Sequence, residues 1–75
     1  MDKFQEKHAT LAEAVQSAVQ NHANEDVIIV ESRGVFYLED SDFSFIRSFE
    51  REVFTGRGSD AHKAEVLAHK EKSNG

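Results

Sequence analysis

Residues 27–30, Val-Ile-Ile-Val, are the longest apolar run in the chain, and four residues later a second run follows, Val35-Phe36-Tyr37-Leu38. β-branched and aromatic side chains are stiff and suit a pleated surface, so both runs read as strands. Between them lies Glu31-Ser32-Arg33-Gly34. A type I turn ending on Gly34 in the left-handed conformation would close a hairpin with a three-residue loop and a bulge. That register puts Ile28, Val30, Phe36 and Leu38 on one wholly apolar face. It leaves Val27, Ile29, Glu31, Val35, Tyr37 and Glu39 on the other. A tight turn centred on Arg33-Gly34 would shift the pairing by one residue and mix the faces. The looser turn sorts the residues better and is the expectation.

Helical periodicity flanks this hairpin. Phe4, His8, Leu11, Val15, Ala18 and His22 recur at steps of four and three, which predicts a helix over 3–23. Asp2 with Gln5 would start it early, whereas Thr10 with Glu13 is a capping box that would start it late. Asn24 is a stop signal. After the hairpin, Asp40-Ser41-Asp42 offers N-caps. Phe45, Ile46, Phe49 and Val53 then share a face over a predicted helix at 42–55, with Phe49 as its expected stability anchor. Gly56-Arg57-Gly58-Ser59 breaks the chain, and a weak last helix follows over 60–71, with 70–75 as a frayed tail.

The reading is therefore one small α+β domain over 1–75, in the order helix, β-hairpin, helix, short helix. Its sheet would be two-stranded and antiparallel, covered by the helices. A lone hairpin is marginal in water, so the helices must cover its apolar face.

Composition narrows the function classes. Seventy-five residues with no cysteine leave no disulfide or thiolate chemistry. The N-terminal residues do not read as a signal peptide, and no stretch reaches a membrane span, so a cytoplasmic location is the default expectation. Net charge is −5, against general nucleic-acid or anionic-membrane binding. The charge is uneven: residues 1–50 carry ten acids and four bases, residues 51–75 five bases and four acids.

Few residues suggest chemistry. His62, Glu65 and His69 would share a helical face, but they lack the tight His-x-x-x-His spacing of helical zinc sites and read more simply as a solvated surface. His8 and His22 lie on the apolar stripe of the first helix. They read as boundary histidines, with a pH-sensitive contact as the sharper alternative. Gly56-Arg57-Gly58-Ser59 lacks the glycine spacing of a phosphate loop and does not follow an expected strand. Acids gather around the hairpin at Glu25, Asp26, Glu31, Glu39, Asp40 and Asp42, but so small a domain has little room for the cleft that an acid–base pair needs. No enzyme, cofactor or metal is expected.

The expectation is a non-catalytic protein-binding module: a small acidic regulator, inhibitor or adaptor, of the kind found among accessory and mobile-element proteins. It would occupy a partner with a basic surface through Glu31, Val35, Tyr37, Glu39 and Asp40. Val35 and Tyr37 would anchor, and the acids would form a charged rim. A homodimer is the other way to cover that face. The alternative class is a nucleic-acid-binding accessory protein using the basic C-terminal segment, which the interleaved Asp60, Glu65 and Glu71 oppose.

Overall fold

A computed structural model describes residues 4–41 and 50–73. Its elements run β1 (Gln5–His8), α1 (Leu11–Asn21), β2 (Asp26–Ser32), β3 (Val35–Asp40), β4 (Arg51–Arg57), a 3-10 turn (Gly58–Asp60) and α2 (His62–Ser73). The strands form one antiparallel sheet in the order β1-β3-β2-β4. The expected two-stranded sheet is thus replaced by a four-stranded one, with β2 and β3 at its centre.

The apolar run explains the centre. Val27, Ile28, Ile29 and Val30 are all buried, at 0 to 7% exposure. Successive strand residues face opposite sides, so a strand buried at four successive positions is screened from solvent on both faces there and flanked on both edges.

Both added strands come from segments expected to be helical. Phe4, Glu6 and His8 alternate inward while Gln5 and Lys7 are exposed. The Phe4-to-His8 spacing of four is one helical turn, but it is also two pleats of a strand. The helix begins only at Leu11, where Thr10 is the N-cap and its Oγ1 accepts from the Glu13 backbone N–H at 3.2 Å. The late start therefore holds. The helix ends on His22 as C-cap, two residues before Asn24. In the predicted 42–55 helix, residues from Arg51 onward are instead strand β4, whose Val53-Phe54-Thr55 has strand character. Residues 42–49 of that expected helix, including Phe49, lie outside the described residues.

The hairpin turn is also tighter than expected. Ser32 pairs with Val35, leaving Arg33 and Gly34 as a two-residue loop with φ of 54° and 83°. Positive φ at both positions is the type I′ pattern, whose twist matches that of the flanking strands. The register moves by one residue, so Phe36 and Leu38 share their face with Val27 and Ile29 instead of Ile28 and Val30. Cross-strand partners share a face. One face therefore holds Val27, Ile29, Glu31, Phe36, Leu38 and Asp40, and the other Ile28, Val30, Ser32, Val35, Tyr37 and Glu39.

The first of these faces carries the helices. Val27, Ile29 and Leu38 join Ala14, Val15 and Ala18 of α1, with Ala61 and Ala64, in a single buried cluster. Phe4, Leu11, Phe36, Val53 and Phe54 pack around it. The small alanines let α1 and α2 approach the sheet and each other closely. Gly58 is the tightest point. A Cβ built there would lie 2.0 Å from the His22 carbonyl oxygen and 2.6 Å from that of Ala18. Its N–H donates to the Glu25 carbonyl at 2.9 Å, and the Ser59 N–H donates to that of Ala23 at 3.1 Å. Gly56-Arg57-Gly58-Ser59 is thus the end of β4 turning beneath the C-terminus of α1. No described helix is long and apolar enough to cross a membrane.

Candidate functional site

Two polar constellations stand out, one on each face of the sheet. The first joins β1 to α1. Glu6 projects from β1 toward the helix. Its Oε1 accepts from Ser17 Oγ at 2.5 Å and lies 2.9 Å from His8 Nε2. Its Oε2 lies 2.8 Å from His22 Nε2. The other ring nitrogen of His22, Nδ1, is 3.0 Å from Glu25 Oε2. An imidazole that faces a carboxylate through each nitrogen donates at both, which requires the charged form. The Phe4 ring stacks on it at 3.8 Å between centroids, with 10° between planes.

The electrostatics follow from these contacts. Burial disfavours the Glu6 carboxylate, but hydrogen bonds from Ser17, His22 and His8 and the charge on His22 outweigh it. They lower its pKa from the usual 4.5 to about 2. Burial disfavours the His22 imidazolium as well, yet hydrogen bonds and charge from Glu6 and Glu25 raise its pKa above the usual 6.5. The cluster is a fully partnered clasp between a short edge strand and a helix. His8 and His22 were legible in the sequence as boundary histidines. Glu6 was missed because it lies off the helical stripe.

The second constellation lies on the face turned away from α1 and α2. Gln5, Ser32, Arg33, Val35, Tyr37, Glu39 and Glu50 line an open cleft of about 510 Å³. Val35 and Tyr37 are half-buried. Glu39 is 7% exposed, and Gln5 Nε2 donates to its Oε2 at 2.7 Å. The register creates this group. Tyr37 stands opposite Val30 and Lys7, and Glu39 stands opposite Ile28 and Gln5.

Of the five residues expected to meet a partner, Val35, Tyr37 and Glu39 thus converge in one cleft. Glu31 and Asp40 lie on the helix-covered face. Glu31 Oε1 accepts from Arg51 Nη2 at 2.5 Å and from Arg51 Nε at 3.0 Å across β2 and β4. Gln5 joins the cleft without having been singled out, since nothing in a helical reading of 3–23 brings it beside Glu39.

A further groove of about 600 Å³ runs between α2 and the sheet, with Leu11, Phe36, Val53 and Leu67 among its walls. Leu67 and its neighbour Val66 are 58% and 60% exposed. On α2, His62 and Glu65 are exposed. Among the described residues no three metal-ligating side chains converge. No protein-family model matches this chain, and no curated protein or solved structure is significantly similar to it.

Proposed function

We propose that the protein is a non-catalytic binding module, a small acidic regulator, inhibitor or adaptor, which occupies a protein partner through the outer face of its sheet. The observation that carries this reading is the convergence of Val35, Tyr37 and Glu39 in one open cleft on the face away from the helices. An aliphatic group, a tyrosine and a carboxylate at a strand surface have the make-up of an interface anchor. The net charge of −5 favours a basic partner and makes its association slow as salt rises. Glu31 drops out of the contact set because Arg51 already engages it, and Asp40 because it shares that face.

The test is site-specific photo-crosslinking in extract of the native cells. A crosslinking residue at position 35 or 37 should give a discrete protein adduct. The same group at Glu13 or Gln20, exposed on α1, should not. Identical adducts from both faces, or none from the outer face, would remove this reading.

A further inference from the structure

We infer that β1 is a proton-controlled strap: protonated His22 holds it against the sheet, and loss of that proton lets the strand lift from β3 while the rest of the sheet stays folded. The device works whatever the outer face binds.

The packing of β1 is the first observation. It is a four-residue edge strand, Gln-Glu-Lys-His, with no apolar side chain, and no residue from Phe4 to His8 is buried. β2, by contrast, buries four residues in a row. A short edge strand with so little buried apolar surface belongs to the low-stability end of a fold, where segments open locally. Its docking therefore depends on side-chain ties to the helix. Two of these converge on the His22 ring: the Glu6 carboxylate, 2.8 Å from Nε2, and the stacked ring of Phe4, just ahead of the strand.

The second observation is that His22 meets a carboxylate through each nitrogen, Glu6 from β1 and Glu25 from the segment after α1. A neutral imidazole has one N–H. In either tautomer one nitrogen then turns a lone pair toward a carboxylate, and the bond that remains loses its charge assistance. The stacked Phe4 loses a cationic partner at the same moment. The other charged groups nearby are turned elsewhere. His8 lies on the Glu6 oxygen that Ser17 also meets. Arg57, at the end of β4, faces the Asn24 carbonyl and the Asp26 carboxylate. The 3-10 turn meets His22 through Gly58, beneath the backbone carbonyl. Burial opposes the His22 charge, but hydrogen bonds and charge from Glu6 and Glu25 outweigh it and hold the pKa above the usual 6.5. The strap is accordingly held below pH 6.5 and loosens as pH rises through the folded value.

Lifting β1 reaches the other side of the sheet. Gln5 leaves with the strand, so Glu39 loses its amide donor and the outer cleft loses a wall. The edge of β3 is uncovered along the same line, a template for another strand.

Hydrogen exchange of the ¹⁵N-labelled full chain, converted to protection factors at each pH, tests the strap. Between about pH 6 and about pH 8.5 the amides that pair β1 with β3 should lose protection by at least about threefold, while those that pair β2 with β4 keep theirs. His22→Gln should lower the protection of β1 in the acid range and abolish its pH dependence. His8→Gln, which leaves His22 in place, should preserve that dependence. Constant protection of β1 across the range in the unmodified chain overturns the strap, whatever the variants do. So does an equal loss in β2 and β4, which would be global unfolding. An unchanged pH dependence in folded His22→Gln, or its disappearance in His8→Gln, overturns the assignment to His22.

Discussion

Glu6 and Glu39 stand on neighbouring strands, β1 and β3, on opposite faces of one sheet, and their surroundings differ in kind. Glu6 faces α1 and meets a hydroxyl and two imidazoles, which hold its pKa near 2. Glu39 faces the open cleft, is more deeply buried, and has a neutral amide on one oxygen. A carboxylate surrounded by donors of its own chain ties elements together and has little left for a ligand. The helix-covered face carries the buried core of this protein, and the outer face carries the open cleft.

The contrast breaks most readily at the core. Ile29→Ala removes a wholly buried side chain from the helix face and should cost about 2–5 kcal/mol in denaturant unfolding. A loss under about 1 kcal/mol would mean that this face does not hold the fold. Gly58→Ala should cost about 1–3 kcal/mol or more, since the new methyl meets two backbone carbonyls of α1 and the neighbouring backbone has to move. Calorimetry showing an unchanged melting temperature would contradict that close approach.

The clasp sharpens the comparison through pH. Glu6 has a lowered folded pKa, so its contribution is present above pH 4.5 and is lost as pH falls toward 2. His22 has a raised one, so its contribution is complete below 6.5 and is lost as pH rises through the folded value. The urea midpoint should therefore be highest between about 4.5 and 6.5. Glu6→Gln should lower stability by about 1–2 kcal/mol at pH 6, allowing for solvent screening of a side chain 30% exposed. His22→Gln should flatten the alkaline limb, and an unchanged limb would show that His22 is not its source. The smallest effect on folding belongs to the outer face. Tyr37→Leu should change stability by less than about 1 kcal/mol, a few degrees in melting temperature. A large loss of stability would make Tyr37 a core residue.

Much of the strand pairing was hidden from the sequence for physical reasons. Residues 26–39 announced their hairpin through β-branched residues, and Thr10 with Glu13 announced the start of α1. The apolar run carried more than it seemed to. Four consecutive buried positions need cover on both faces, a central strand rather than one half of an isolated hairpin. β1 escaped because a spacing of four serves helix and strand alike. β4 escaped because aromatic and β-branched residues at 53–55 followed a segment with helical periodicity. The pairing was shifted by one residue because Arg33 was not expected at positive φ, which is uncommon outside Gly, Asn and Asp. The anchors Val35, Tyr37 and Glu39 fell on one face in either register, since residues two apart always do. Glu31 did not, because it lies across the turn from them.

The Arg33–Gly34 turn also sets the order in which the chain can assemble. β2 and β3 are joined by two residues, so their pairing is local and can form within microseconds. β1 reaches β3 only by closing a long loop, with Gln5 and Glu39 separated by 34 positions, and that closure is entropically costly. The sheet then grows outward from its centre, and the charged, polar strands that edge it arrive last. Until β4 docks, residues 27–30 present the most apolar backbone of the chain along an unpaired edge. The hazard of aggregation is thus concentrated in the folding interval rather than in the finished molecule, where the exposed edges belong to strands rich in charge.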